Sequence, residues 1–407
     1  MKGSLREPFI HFCLSTSFPC VLVAALAAKA QVYLPYGCAL HWYHQTDSEK
    51  LYLYQVTVRM RFEYYHAGLD ELPKLSVDGT VANSIHFSHW QGNSTPREVK
   101  ADTSTEIALN LVAAPNLDEL TRGIELVTNN HFDTDGVLSV WTMLKAERAL
   151  PLRESLIAAA EAGDFSEYRT DAAARASITI QGPDQPHPGE APGSPLANHL
   201  AGEVVADDAR AYALVLPEVE RVLTRTDDYE PLWRDAWRRT AAALESFARG
   251  VSRVEEFADA RLSLITLSTE LFGPAGFDPA EHSFPLMAIS HHARGQLFLI
   301  SAPMKGRWSY RVDYPYYSWA ETVVRPKIAR RDFQSLLTRL NELENGAGEW
   351  RADTSELSSA FKFMDRGGAP AASALSPERV AEEVRLALLE EVSEDGQATK
   401  TAGASND

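Results

Sequence analysis

The chain has 407 residues, of which 45% are hydrophobic and 23% are charged. This composition is typical of a folded globular protein and argues against a collagen-like, wholly disordered or multi-span membrane chain. The formal net charge of −17 at pH 7 argues against a protein that coats long nucleic acids with a basic face, but it leaves room for a local cationic pocket.

The first 59 residues are set apart from the rest. They contain all three cysteines, Cys13, Cys20 and Cys38, so any metal bound by the remainder of the chain must use His, Asp, Glu or water. Residues 1–30 have the three-part form of a secretory signal, or else the start of the sequence is placed too early. Because a coherent pattern begins at Met60, we expect a cytoplasmic protein whose fold is complete without 1–59, or an exported one if 1–30 is a true signal.

Strands and helices are predicted to alternate from residue 72 onwards. Strands at 74–77 and 84–87 are separated by the turn residues Asp78 and Gly79, and a capped helix start follows at 102–106. A short apolar run at 124–127 is followed by a helical pattern after Gly136. The alternation predicts an α/β fold with a mostly parallel sheet and flanking helices. Ligands of such sheets gather at the carboxyl ends of the strands.

The second half of the chain has a different pattern. A Pro- and Gly-rich loop at 181–196 precedes predicted helices at 207–226 and 229–260. Antiparallel strands are predicted at 285–289, 296–300 and 307–312, with His291 and His292 in a structural turn, before a helix at 332–343. We therefore expect an α/β domain at 60–270, a smaller α+β domain at 271–366 that covers its ligand, and a helix with a disordered acidic tail at 367–407.

The segment from His131 to Gly136 concentrates possible metal ligands. His131, Asp133 and Asp135 alternate along an extended strand end, so their side chains would point to one side. Two close carboxylates repel each other and favour a bound cation, and oxygen ligands with one imidazole suit Mn²⁺ or Mg²⁺ better than Zn²⁺. The alternative is an Asx turn that caps a helix, with His131 packed in the core.

Four short motifs resemble those of the DHH phosphoesterase superfamily. His131-x-Asp133-x-Asp135-Gly136-x-x-Ser139 resembles the first motif, and Val77-Asp78-Gly79 resembles the second. Ser88-His89-Trp90 is similar to a degenerate Asp-His-His signature, and the segment 158–165 resembles the fourth motif, whose aspartate would be Asp164. The resemblance covers about residues 60–170. It implies a DHH-like parallel sheet and metal-dependent hydrolysis of phosphoesters.

The chain departs from the family pattern in two ways. Its motifs run in the order second, third, first, fourth, so the resemblance requires a permuted sheet. In the family, the first signature histidine binds metal and the second meets the substrate phosphate. His89 therefore keeps the ligand role, whereas Trp90 stands in the second position and cannot supply a charged contact.

These observations predict a two-metal site. We expect Asp78 to bridge two cations, with His131, Asp133 and Asp164 on the first and Asp135 and His89 on the second. The residues expected to act in catalysis are Asp78, His89, Asp133 and Asp135. The alternative for Asp164 is a surface residue at a helix end. All these residues should converge although Asp78 and Asp164 lie far apart in sequence.

A run of basic and aromatic residues follows in the C-terminal region. Arginine binds phosphate and aromatic rings stack on bases, so Arg307, Tyr310 and Arg311, together with Trp90, are candidates to bind substrate. The alternative is that the alternation at 307–311 marks a half-buried strand. Other members of this run are Lys305, Arg325, Lys327, Arg330, Arg331, Trp308, Tyr314, Tyr316, Tyr317 and Trp319.

The expected function is that of an Mn²⁺- or Mg²⁺-dependent phosphoesterase-like hydrolase acting on a small phosphorylated or nucleotide-type substrate. Neither a long nucleic acid nor a stable membrane span is expected. The alternative is a protein that keeps this fold and binds a phosphorylated ligand or metal without turning it over.

Overall fold

The computed structural model describes residues 60–353 and 356–402, with side chains described as far as residue 390. The predictions for residues 1–59, including the possible signal segment and the three cysteines, lie outside the described residues. Within the described part, no helix is both long and apolar enough to cross a membrane.

Four strands of the first half form a parallel sheet. They are β1 (Arg61–Phe62), β2 (Leu75–Val77), β3 (Ile85–Phe87) and β4 (Leu126–Thr128), arranged in the order β1-β4-β2-β3. Leu75 pairs with Ile85 on one side and with Val127 on the other. The strand β2 is therefore central, with β3 and β4 as its neighbours, and the residues that follow these three strands meet at one edge of the sheet.

Helices pack against this sheet and build the larger core. They are α1 (Ser104–Ala113), α2 (Leu117–Thr121), α3 (Thr134–Leu144), α4 (Ala146–Ala149), α5 (Arg153–Asp164), α6 (Asp171–Gln181), α7 (Pro195–Ala201), α8 (Asp208–Val215), α9 (Val219–Thr224) and α10 (Glu230–Ala248). The helices α1 and α3 bury Leu109, Leu111, Val137 and Leu138 against the strands. The predicted α/β class with a parallel sheet and flanking helices is confirmed.

The second half contains a larger mixed sheet. Its strands are β5 (Arg253–Phe257), β6 (Leu262–Thr266), β7 (Leu297–Met304), β8 (Arg307–Asp313), β9 (Glu349–Ala352) and β10 (Ser359–Met364), in the order β5-β6-β7-β8-β10-β9. Only the β6–β7 pair is parallel among the pairs of this sheet. The helices α11 (Leu286–His292), α12 (Gln334–Leu343) and α13 (Pro377–Ala402) accompany it.

Three element predictions in this half are wrong. The predicted strand at 285–289 is the start of α11, because a short helix buried at four successive positions, Leu286 to Ile289, has the same continuous apolar pattern as a buried strand. The predicted helix at 229–260 ends at Ala248, just before Gly250 with φ +70°, and two strands follow. The second sheet therefore begins at Arg253, before the expected boundary at 270. The helix α13 runs to Ala402, within the predicted disordered tail.

Candidate metal centre

Asp78 follows the central strand β2 directly and is fully buried. Its φ of 63° lies in the left-handed region, which is strained for a residue with a Cβ and is found most often at functional sites. The next residue must be glycine, because a Cβ on Gly79 would lie 2.7 Å from Oδ1 of Asn129 and would overlap the side chain of Asn130. The backbone turn thus holds the Asp78 carboxylate at the end of the middle strand.

His89 lies two residues beyond the end of β3 and is also fully buried. Its Nδ1 donates a 2.8 Å hydrogen bond to the carbonyl oxygen of Asp102, which leaves Nε2 without a proton when the ring is neutral. Nε2 lies 3.5 Å from Oδ1 of Asp78, 3.7 Å from Oδ2 of Asp135 and 3.2 Å from Oδ2 of Asp164. The imidazole nitrogen therefore faces three carboxylates.

His131 and Asp133 follow β4 on the other side of Asp78. Asp133 is the N-cap of α3, and its Oδ1 accepts a 2.7 Å hydrogen bond from Gly136 N while its Oδ2 lies 3.1 Å from Nε2 of His131. The same Nε2 lies 2.9 Å from Oδ2 of Asp78. Tyr212 donates to the carbonyl oxygen of His131 and so fixes the loop.

Asp135 and Asp164 are placed by helices. Asp135 lies in the first turn of α3, and its two oxygens accept 2.7 Å hydrogen bonds from the backbone N–H groups of Ser104 and Thr105, at the N-terminus of α1. The positive end of that helix therefore stabilises the buried carboxylate. Asp164 is the last residue of α5. The sequence pattern predicted the start of α1 but gave no sign that Asp135 would bind to it.

The ligand atoms form two groups that share one residue. The His89 group comprises Asp78, His89, Asp135 and Asp164, and the His131 group comprises Asp78, His131 and Asp133; within each group the ligand atoms lie within 4.8 Å of one another. The predicted convergence is confirmed, and Asp78 is common to both groups because β2 lies between β3 and β4. Asp164 was expected with His131, but the end of α5 brings it to His89 instead. The catalytic roles assigned to these residues stay predictions.

The unmatched polar atoms fit a bound cation. Both oxygens of Asp78 and the Nε2 atoms of His89 and His131 are buried and form no hydrogen bond in the structure, although they lie within 3.5 Å of one another in pairs. Buried polar groups in folded proteins almost always find a partner. Carboxylate oxygens with one imidazole per group suit a hard divalent cation.

The carboxylates and imidazoles of the centre shift one another's pKa values. Burial alone would lower the pKa of His89, but the surrounding carboxylates outweigh burial and raise it to about 10. The pKa of His131 is raised in the same way, to about 12. Burial and the charge of Asp78 raise the pKa of Asp135 to about 7. Without a metal, protons on the two imidazole rings thus supply positive charge between the carboxylates.

Aromatic side chains border the centre. The ring of Trp90 lies edge-on to His131 with centroids 5.5 Å apart, and Trp319 lies edge-on to His89 at 4.9 Å. Phe165 lies 5.7 Å from His89. Trp90 is therefore beside the centre, as predicted, and Trp319 is the member of the C-terminal aromatic run that reaches it.

The other three predicted substrate-binding residues lie on β8, and two of them are buried with partners of their own. Tyr310 is buried and donates a 2.7 Å hydrogen bond to the carbonyl oxygen of Leu375. Arg311 is buried and forms 2.7 Å ion pairs with Asp313 and Glu356. Arg307 is exposed at the start of β8. These positions match the alternative in which the alternation at 307–311 marks a strand, since Tyr310 and Arg311 lie on β8 and are buried.

Comparison with known proteins gives a family but no activity. The profile of DUF6687, a family of unknown function, matches residues 59–395. The chain belongs to the DUF6687 family. The matched region contains both sheets and every residue of the two ligand groups. No curated protein and no solved structure matches the DUF6687 chain.

Proposed function

We propose that this DUF6687 chain is a divalent-metal-dependent phosphoesterase-like hydrolase that acts on a small phosphorylated or nucleotide-type substrate. The observation that carries the proposal is the pair of ligand groups joined by the buried Asp78 carboxylate. A carboxylate shared between two cation positions is the arrangement that two-metal hydrolases need. The motif resemblance to DHH phosphoesterases supports the same reaction class.

The two ligand groups would hold two metal ions. Two Mn²⁺ or Mg²⁺ ions, when bound, would supply an activated water and neutralise the charge that develops on the phosphoryl oxygens. Asp78 would bind both ions. The buried ion would also be bound by His89, Asp135 and Asp164, and the more exposed ion by His131 and Asp133. The side chains of His131 and Asp133 are 29% and 27% exposed, whereas that of His89 is fully buried. Substrate therefore approaches from the His131 side.

A second candidate function is binding of a phosphorylated ligand without turnover. It is favoured by Trp90, which stands where the DHH pattern has its phosphate-binding histidine. The neutral indole supplies no charge to a phosphate, so no cationic side chain at this position would drive its hydrolysis.

Metal content and hydrolysis measured on the same protein separate the two candidates. The purified full-length chain is equilibrated with Mn²⁺ or Mg²⁺, and metal per chain is measured by mass spectrometry together with phosphate or alcohol release from a panel of phosphoesters. We expect about two metal ions per chain and hydrolysis that stops when the metal is chelated. Metal without hydrolysis would favour the binding protein, and absence of metal would contradict both.

Asp78→Asn is the variant that tests the shared carboxylate. Loss of even an outer partner of a metal ligand costs about 10–100-fold in affinity or activity, so loss of the bridging charge should reduce hydrolysis by more than about 100-fold. Asp118→Asn is the matched control, because Asp118 is exposed in α2. Equal activity of the Asp78 variant and the control would contradict the proposal.

A further inference from the structure

Trp90 and Trp319 form a continuous aromatic wall beside the metal centre. Their ring centroids are 4.7 Å apart, and both side chains are partly exposed. Trp90 contacts His131 of the open ligand group, and Trp319 contacts His89 of the buried one. The wall therefore borders both ligand groups.

Hydrogen bonds hold Trp319 in place before any ligand binds. The backbone N–H of Glu321 donates a 2.7 Å hydrogen bond to the carbonyl oxygen of His89, and the Gln91 side chain donates to the carbonyl oxygen of Trp319 at 3.0 Å. The Glu321 carboxylate accepts from Gly92 N and from the Asn93 side chain. The wall is thus a preorganised surface, which reduces the entropy lost when a flat ring packs on it.

Positive charge is scarce at this site. Among the residues that the structure describes, the carboxylates of the two ligand groups form ion pairs with histidines and with no lysine or arginine. Lys100 is paired with Glu321, and Arg325 is paired with three carboxylates, those of Asp102, Glu161 and Glu167. The four negative charges of the aspartates balance the four positive charges of two divalent ions. Little net positive charge therefore remains to attract a highly charged substrate.

Trp90 offers a neutral hydrogen-bond donor in place of a cation. Its Nε1 is buried and has no hydrogen-bond partner in the structure. An indole N–H can donate to an ester or phosphoryl oxygen but does not compensate a second negative charge.

We propose that the substrate is a monoanionic phosphodiester that carries an aryl or nucleobase group, and that it is preferred over dianionic monoesters. This inference rests on the proposed hydrolase function. The aromatic group packs on Trp90 and Trp319, while the phosphoryl group meets the metal centre. In the reaction, the oxygen of water bonds to phosphorus, the P–O bond to one alcohol breaks, and that alcohol leaves with a proton from the water. The products are a monoester and an alcohol, with no change in oxidation state.

Two pairs of substrates with a common leaving group test the inference on the Mn²⁺-loaded full chain. The first pair is bis(p-nitrophenyl) phosphate and p-nitrophenyl phosphate, and the second is the p-nitrophenyl ester of thymidine 5′-phosphate and methyl p-nitrophenyl phosphate. We expect kcat/KM to favour the first member of each pair by at least about 10-fold, because it has one more ring to stack in both pairs and the smaller charge in the first pair. Faster cleavage of the monoester would overturn the inference while leaving the hydrolase proposal intact.

Variants of Trp90 and Trp319 should change the preference between esters, which a loss of stability alone would not do. Trp319→Leu should raise KM for the thymidine ester by about 5-fold or more and KM for the methyl ester by less, because the thymidine ester presents a nucleobase in addition to the p-nitrophenyl ring that both esters share. Trp90→His should raise the rate on p-nitrophenyl phosphate relative to the diester, because an imidazole can carry charge. Trp308→Leu, on β8, is the control and should change neither ratio. Equal losses on both esters in Trp319→Leu would overturn the role of the wall.

A binding measurement separates failure of this inference from failure of the hydrolase proposal. Quenching of tryptophan fluorescence by diphenyl phosphate and by phenyl phosphate is titrated on the Mn²⁺-loaded chain. If no ester is hydrolysed, the hydrolase proposal fails, and tighter binding of diphenyl phosphate still supports the preference for an aromatic diester. Equal or weaker binding of diphenyl phosphate would overturn it.

Discussion

At the scale of single residues, the metal centre is defined by side chains held in place from outside it. The carbonyl oxygen of Asp102 orients His89, and the N-terminus of α1 receives Asp135. The Asn130 side chain contacts Nδ1 of His131 at 3.1 Å. Such outer partners fix the ring tautomer and the direction of each ligand atom, which is how a protein keeps like charges close together before metal arrives.

Metal binding should release protons. In the metal-free protein the pKa values of His89 and His131 are about 10 and 12, so both rings are protonated at pH 7. A metal-ligating imidazole must be neutral, and apparent Mn²⁺ affinity should therefore rise with pH below these pKa values. Calorimetry at pH 7 in two buffers of different ionisation enthalpy should show release of more than two protons, because the Asp135 carboxyl, whose pKa is about 7, adds to the two imidazole rings. His131→Gln should release about one proton fewer. Binding without proton release would contradict the assignment of these ligands.

Replacing Gly136 by alanine tests how closely the side chains around the metal centre are packed. A Cβ at Gly136 would lie 2.5 Å from Nδ2 of Asn129, 2.7 Å from the Tyr212 hydroxyl and 3.0 Å from Oδ2 of Asp78. Gly136→Ala should therefore reduce the free energy of unfolding by about 1–3 kcal/mol and weaken Mn²⁺ binding. Urea denaturation and a metal titration test this. In Gly367→Ala the Cβ has its nearest contact at 3.2 Å, to a side-chain oxygen of Asp365, and this control should be nearly neutral.

The candidate ligand residues could be predicted from the sequence, but their assignment to the His89 group or the His131 group could not. Asp78, His89 and His131 each follow a short apolar run, and the end of a parallel strand is a ligand position in any open α/β sheet. The group that Asp164 joins depends on where α5 ends in space, which no local pattern encodes. The donors to Asp135 come from a helix some 30 residues earlier in the chain, and such long-range pairs leave no spacing to detect.

At the scale of elements, hydrogen bonds and ion pairs connect the segment that contains Trp319 to helices that pack against the first sheet. The Asp102 carboxylate accepts from the backbone N–H groups of Val323, Val324 and Arg325. The Arg325 guanidinium forms ion pairs with Asp102 at 2.7 Å, Glu161 at 2.7 Å and Glu167 at 2.5 Å, and it lies over the Phe165 ring. Arg325 thus joins the segment 319–325 to α5 and to the start of α1.

Replacing Arg325 should loosen this connection. Arg325→Met leaves Asp102 and Glu167 without their cation and Glu161 with Arg169 alone. Because the Arg325 side chain is only 15% exposed, the cost should be about 3 kcal/mol. Differential scanning calorimetry measures the change in stability. Arg385→Met is the matched control, because the Arg385–Asp259 pair lies on the surface and should contribute little. An equal loss in both variants would contradict the role given to Arg325.

The elements themselves show where pattern reading succeeds. The strands β2 and β3 follow from apolar runs bounded by turn residues, β7 follows from the apolar run at 296–300, and β8 follows from the alternation at 307–311. The sequence pattern predicts a strand where α11 lies, because a helix buried on all sides lacks the 3.6-residue period of apolar residues that marks an amphipathic helix. The strand order β1-β4-β2-β3, which makes Asp78 central, rests on pairing between distant segments and is not encoded in any one of them.

At the scale of the whole molecule, the second sheet and its connections complete the site that the first sheet begins. The parallel sheet supplies all six candidate ligands from its strand ends and flanking helices, and the segment after β8 supplies Trp319 and Arg325. The covering role expected of the C-terminal half stays a prediction, and residues 319–325 are the part of that half that contacts His89 and Asp102.

The central claim is that Asp78 joins two metal positions. Crystals of the full-length chain grown with Mn²⁺ and measured at the manganese absorption edge test it by anomalous difference density. We expect two peaks about 3.5–4 Å apart, one between Asp78, His131 and Asp133 and the other among Asp78, His89, Asp135 and Asp164. A single peak that Asp78 does not contact, or no peak at these residues, would contradict the claim.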